Sequence, residues 1–362
     1  MLDGIQIVEF EGLGPAPFAA MMLADLGADV IVIHRKGGSP SPGQPERSLL
    51  DRGKRSIELD LKDPDDRDTA LRIVAGSDAL IEGFRPGVME KLGLGPEVCQ
   101  ARNPALVYGR MTGWGQDSPL AFAAGHDLNY IGLSGAMWYG SAPGDAPLTP
   151  ATLVGDIGGG ALYLVAGLLA GLLKARSSGT GSVVDAAIYD GSAHMMNLLM
   201  SLRQSGNLSE TRGESLLDGP HWSRTYRCSE GGYISVQCLE SKFYQLFLEH
   251  MGLADDPDFA NQFERCLWPR LSERLAERFA QHTRAHWADL FEGSDACVAP
   301  VLSPDEARSH PMNLHRQVWQ ETGDGLQAAP APRFDGNLAI PRQAPRRGEH
   351  SEEIRAELHA RP

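Results

Sequence analysis

Ile5-Gln6-Ile7-Val8-Glu9-Phe10, Gly12-Leu13-Gly14-Pro15 and Val30-Ile31-Val32-Ile33 together decide the fold. The first and last runs are apolar and β-branched, which favours strands, and the paired glycines between them read as a turn. After that turn Phe18, Met22 and Leu26 recur every four residues and mark one face of a helix that Gly27 ends. Strand, glycine turn, helix and strand within about 30 residues form a βαβ unit, which implies a parallel sheet and a ligand crevice at the strand ends. The unit lacks the dinucleotide fingerprint. Pro17 stands where a third glycine is required, and His34 and Arg35 end the second strand where an acidic residue would hold a ribose. A nicotinamide oxidoreductase is therefore disfavoured, whereas Arg35 suits a phosphate on an adenosine ribose.

Outward from this unit, strands are expected at 56–61, 78–82 and 106–109, the first after Arg52-Gly53-Lys54-Arg55 and the second running into Gly83-Phe84-Arg85-Pro86-Gly87. The whole chain of 362 residues carries a net charge of −14, which argues against nucleic acid as a partner. An anionic ligand must then be met by local basic residues, and Arg35, Arg52, Lys54, Arg55 and Arg85 are the candidates; the alternative is a set of solvated loops. The five cysteines are scattered without a CxxC pair, so they frame neither a zinc site nor a disulfide scaffold and predict a reducing, cytoplasmic setting. Residues 1–10 lack a basic region and carry Asp3 and Glu9, so they are expected to be folded rather than a signal peptide. The apolar run 161–173 falls short of the roughly 20 residues a bilayer needs. It reads as a core helix, and no membrane partner is expected.

That run follows Leu153-Val154-Gly155-Asp156-Ile157-Gly158-Gly159-Gly160. Asp156 is expected to be the N-cap of the long helix, where a carboxylate suits both the free amides and the dipole. Three glycines in a row each cost about 1 kcal/mol relative to alanine in a helix, so a close neighbour must favour them. Either a packed helix or a ligand oxygen over the amides fits. Gly160, Gly167 and Gly171 share one side, where a second helix is expected to pack. In Gly125-His126-Asp127-Leu128-Asn129-Tyr130, His126 reads either as a structural histidine or as a proton carrier, and gains weight beside Asp156.

The ordered set Gly12-Leu13-Gly14-Pro15, Arg52-Gly53-Lys54-Arg55, Gly83-Phe84-Arg85-Pro86-Gly87, Thr112-Gly113-Trp114-Gly115, Gly125-His126-Asp127 and Gly155-Asp156 resembles the family III CoA-transferase superfamily over nearly the whole chain. Within it the chain is similar to the α-methylacyl-CoA racemase branch. The resemblance implies an α/β fold with a Rossmann-like parallel-sheet large domain, a smaller α+β domain and an interlocked homodimer. It implies interconversion of (2R)- and (2S)-2-methylacyl-CoA thioesters through an enolate. His126 and Asp156 would be the catalytic pair, with Glu240 orienting the histidine. Coenzyme A would be held by Gly14, Asp127 and Tyr130 together with the five basic residues, as part of the substrate rather than as a cofactor. Such chemistry needs two proton carriers flanking one carbon and no metal, and the amides just after Asp156 are expected to receive the enolate oxygen. The alternatives are a CoA transferase with a thioester on Asp156, and a non-catalytic acyl-CoA-binding protein.

The expected organisation is a CoA-binding domain over 1–190, a linker over 191–222, a small domain over 223–310 and a strap over 311–362. Met195, Met196 and Met200 on one expected helix are candidates for an adaptable acyl wall. A hairpin turning at Glu230-Gly231-Gly232 is expected to open the small domain, with helices following to residue 291. The last segment, rich in proline and arginine, is expected to be extended.

Overall fold

The structure, a computed structural model, describes residues 1–38 and 47–360 and divides into two compact units. The first comprises Met1–Met137, Thr149–Met196 and His310–Pro362, and the second comprises Trp138–Leu148 and Asn197–Ser309.

In the first unit the chain runs β1 (Gln6–Phe10), α1 (Pro15–Asp25), β2 (Asp29–Arg35), β3 (Arg55–Leu59), α2 (Pro64–Ala75), β4 (Ala79–Glu82), α3 (Val88–Lys91), α4 (Pro96–Arg102), β5 (Val107–Thr112) and α5 (Asp127–Leu133). A π-helical segment, Leu153–Ala161, then leads into α6 (Leu162–Ser178), β6 (Ser182–Ala187) and α7 (Ile188–Met195). The six strands are all parallel in the order β3-β2-β1-β4-β5-β6. Chain order reverses between β1 and β4, which opens a crevice at their carboxyl ends. Alternation sorts the strand residues into two buried layers: Ile5, Ile7, Ala79 and Ile81 face α1 and α6, while Val8, Phe10, Leu80 and Tyr108 face the opposite layer. Sequence periodicity located five of these strands. It did not show β6, whose Ser182 and Asp185 interrupt the apolar alternation at the sheet edge.

Two helical expectations are corrected. The inner face of α1 consists of Ala16, Ala19, Ala20, Leu23 and Ala24, with Phe18 and Met22 only partly buried, because small side chains let the helix lie close to the sheet. The helix after Thr152 is also longer than the apolar run, covering 26 residues from Leu153 to Ser178, and is by length and composition long and apolar enough to cross a membrane. Its inner face, Leu164, Val165, Leu168 and Leu172, packs in the core of this unit. A Cβ on Gly167 would stand 2.5 Å from Val184, and one on Gly171 2.6 Å from Val107, so the neighbour that these glycines admit is the sheet.

The second unit contains α8 (Asn197–Gln204), β7 (Ser223–Arg227), β8 (Tyr233–Gln237), α9 (Ser241–Met251), α10 (Trp268–Phe279), α11 (Arg284–Phe291), β9 (Val298–Val301) and α12 (Pro304–Ser309). Its antiparallel sheet, β7-β8-β9, includes the expected hairpin, and Trp222, Phe247, Phe259 and Phe279 fill its core. The stretch 191–222 is helical as far as Gln204 and irregular only beyond it. Residues 310–360 belong to the first unit and are not simply extended, since they form α13 (Pro311–Arg316), the hairpin of β10 (Trp319–Thr322) and β11 (Gly325–Ala328), and α14 (Ser351–Ala360).

Candidate active site

At the crevice the loops that follow the strands wall a cleft of about 900 Å³, into which Gly14, Arg35, Arg85, His126, Tyr130 and Asp156 face. Asp156 does not cap its helix. Thr152 stands at the start, and Asp156 lies inside the π-helical turns with its own N–H donating to Asp127 Oδ1 at 2.9 Å. Wider turns of this kind recur at functional sites because they displace one residue from the regular helical path. Three glycines make the displacement possible. A Cβ on Gly159 would stand 2.3 Å from Ser192 Oγ, one on Gly160 2.9 Å from Ile188, and one on Gly158 within 3.4 Å of the Met195 sulfur. The neighbour that requires them is α7. Their amides are not free to receive an enolate oxygen as expected, because they lie within the helix, and the Ile157 N–H donates to the Thr152 carbonyl at 3.0 Å.

Gly14, at φ 65°, turns the chain from β1 into α1 beneath this carboxyl group, and a Cβ there would stand 3.5 Å from Asp156 Oδ2. Burial pushes the Asp156 carboxyl up to about 6; the charge of Asp127 adds to the rise and His126 offsets part of it. A carboxyl group raised in this way is suited to carrying a proton near neutral pH. His126 stands immediately before α5, with its backbone N–H held by Asn129 Oδ1 at 3.0 Å and its side chain exposed to the cleft.

Tyr130 locks the segment that carries His126. Its hydroxyl donates to the Gly125 carbonyl, and its ring packs edge-on to Trp114 with centroids 4.7 Å apart. A Cβ at Gly113 would overlap that ring at 2.0 Å. Burial, and then the charge of Asp156, raise the Tyr130 hydroxyl above its ordinary range.

The basic residues separate by strand end. Arg35 closes β2 and Arg85 follows β4, and both are exposed in the cleft. Arg52, Lys54 and Arg55 precede or begin β3, the opposite end of a parallel strand, and the structure does not bring them to the cleft. Arg52 is spent on Asp25, Gln327 and the Ala328 carbonyl. Lys54 is fully buried against Glu9 at 2.5 Å and Asp51 at 3.2 Å. Arg55 binds Asp29, Glu353 and Glu357. The cleft instead gains Lys62, just beyond β3, and Arg347, which Glu11 holds at 2.5 Å while also accepting the Arg35 N–H at 3.0 Å. A further hidden support is Glu82, which pairs with Arg110 at 2.9 Å and accepts the Phe84 N–H at 2.7 Å, thereby fixing the loop of Arg85. Position relative to a strand end was the signal for Lys62; no pattern announced Arg347, which lies over 300 residues from Glu11.

Glu240 lies in the second unit as the exposed residue that starts α9, its carbonyl accepting from Phe243 at 2.9 Å. The methionines do not form one stripe. The helix breaks at Met196, and Met195 lies beside Gly158 of the π-helical segment.

The chain is similar to known proteins over nearly its whole length. The sequence pattern of CoA-transferase family III matches residues 2–351. The human α-methylacyl-CoA racemase (Homo sapiens) is 39% identical over 99% of the chain and 93% of its own length. The mouse racemase (Mus musculus) is 38% identical over 98% of the chain and 92% of its own length. Among solved structures, a CaiB/BaiF family protein from Brucella suis superimposes with a TM-score of 0.83 at 28% identity, covering 99% of both chains.

Proposed function

The chain belongs to CoA-transferase family III, and from that membership we propose that it is a racemase interconverting (2R)- and (2S)-2-methylacyl-CoA thioesters. The observation that carries the chemistry is the convergence of His126 and Asp156 on one cleft, with the Asp156 carboxyl held near 6. Racemisation at C2 requires a base on one face of the carbon and an acid on the other, with roles that reverse for the opposite enantiomer. In one direction His126 removes the C2 proton, the electron pair moves into the thioester as an enolate, and protonated Asp156 delivers a proton to the other face. The reverse reaction begins with ionised Asp156. Thioester conjugation makes C2 acidic enough for this, so the proposal invokes no metal or redox cofactor.

Arg35, Lys62 and Arg85 supply the positive rim for the CoA phosphates in a chain that is otherwise acidic. Within a homodimer, the Glu240 that orients His126 is proposed to come from the other subunit. A homodimer is part of the same proposal, supported by Leu128, Leu133, Leu153 and Leu162, large apolar side chains left exposed on α5, the π-helical segment and the start of α6.

The test is a single-enantiomer 2-methylacyl-CoA incubated in heavy water without an acceptor acid. Deuterium should enter C2 as optical purity falls. His126→Ala should slow both by about two to four orders of magnitude, and Asp156→Asn should act likewise. Transfer of CoA to an added acid, with a hydroxylamine-trapped adduct on Asp156 and no label at C2, would make the protein a CoA transferase. Thioester binding with neither activity would leave a binding protein.

A further inference from the structure

Asp127 follows His126 as the first residue of α5, and its side chain is buried. It is 5% exposed, its Oδ1 accepts the backbone N–H of Asp156 at 2.9 Å, and its Oδ2 is buried with no hydrogen-bond partner among the described residues. The space that admits it is made by a glycine. A Cβ on Gly155 would lie 2.3 Å from Asp127 Oδ1 and 2.7 Å from Ile131, so any other residue at 155 would drive α5 and the π-helical segment apart. A buried carboxylate oxygen without a donor is costly and is retained only where the surroundings enforce it. Its charge adds to the effect of burial in raising the Asp156 carboxyl. The other charged or titratable groups in the network around Asp156 are His126 before α5, Tyr130 on α5 and Arg85 after β4, and the α1 and α7 residues nearest the glycines of the segment include Pro15, Ile188, Ser192 and Met195.

We propose that Asp127 is a positioning residue of the racemase: it fixes the Asp156 peptide in the π-helical turn and holds an uncompensated negative charge beside the Asp156 carboxyl group. The proposal rests on the racemase reading for its functional meaning. Its physical content is independent of that reading. Two neighbouring carboxyl groups cannot both ionise freely, so the charge on one keeps the proton on the other. Burial raises the Asp156 carboxyl most and the charge of Asp127 adds to it, so Asp156 retains a proton at a pH where an ordinary aspartate has lost it and can then act as the acid of the pair.

Asp127→Asn separates the two parts of the role, because the amide oxygen still accepts the Asp156 N–H while the charge is gone. The Asp156 carboxyl, followed by carbon-13 NMR and assigned with Asp156→Asn, should titrate about one pH unit lower in Asp127→Asn than in the parent. The acidic limb of C2 deuterium exchange should move with it. Asp127→Ala, which also loses the hydrogen bond, should reduce exchange about a hundredfold, the effect of misplacing a reacting group. Unchanged titration of Asp156 in folded Asp127→Asn would overturn the proposal. If Asp127→Asn does not fold, Asp127→Ser replaces it, since it also removes the charge and keeps an acceptor oxygen, and unchanged titration of Asp156 there would overturn the idea. Absence of C2 exchange in the parent would remove the racemase reading alone, since the carboxyl titration is read without substrate.

Discussion

At the scale of single residues, the structure assigns similar basic side chains opposite duties. Arg85 and Lys54 both looked like phosphate ligands, yet Arg85 is exposed in the cleft and Lys54 is sealed beneath it against Glu9. Burial pushes the Glu9 carboxyl up to about 7 despite the attraction of Lys54, the mark of a pair that costs desolvation on both sides. Lys54→Met should therefore destabilise the fold by about 3 to 5 kcal/mol in chemical denaturation, by stranding Glu9, while leaving CoA affinity per folded molecule unchanged. The double variant Glu9→Leu/Lys54→Met should recover most of that loss. A Lys54→Met protein of parental stability but weakened CoA binding would return Lys54 to the binding site. Arg85→Ala should do the reverse, weakening CoA binding about tenfold by calorimetry with stability retained, since charge-assisted phosphate bonds contribute roughly 1.5 to 3 kcal/mol.

Among elements, the π-helical segment shows where sequence reading reaches its limit. Alternating apolar residues and turn glycines exposed the βαβ unit and hence the crevice, because strand period and chain reversal are local properties. Asp156 and His126 were legible as candidates, and the structure brings both to one cleft. The path of the helix around Asp156 was not, because the bond from its N–H to Asp127 joins residues 29 apart, and a capping carboxylate looks the same in sequence as one carried within a wide turn. The glycines were legible as a demand for closeness, but not as a seat for α7. Helix propensity alone predicts that Gly159→Ala stabilises by about 1 kcal/mol. The structure predicts the opposite sign, because the added carbon would meet Ser192 Oγ at 2.3 Å and the Ser192 backbone nitrogen at 2.8 Å. Overpacking of this kind costs about 1 to 3 kcal/mol, readable as a lower thermal midpoint. A rise in the midpoint would show that α7 is not seated on the glycines.

For the whole molecule, the proposed interlocked dimer makes an exacting prediction. Subunits threaded through one another cannot part without unfolding, so differently tagged dimers mixed under native conditions should form no hybrids, even after long dilution. Hybrids forming within minutes would exclude interlocking. One further consequence belongs to the order in which the chain is made. The open edge of β3 is covered at Ser56, whose carbonyl accepts the His350 N–H at 2.9 Å and whose own N–H donates to the His350 ring, and by Glu353 and Glu357 bound to Arg55. Ser56 and His350 are 294 residues apart. At about 5 to 20 residues per second, a ribosome delivers the covering segment roughly 15 to 60 s after the strand. Throughout that interval the nascent sheet carries a bare edge able to pair with a neighbouring chain, and a premature stop before residue 348 releases a protein whose sheet never acquires its guard.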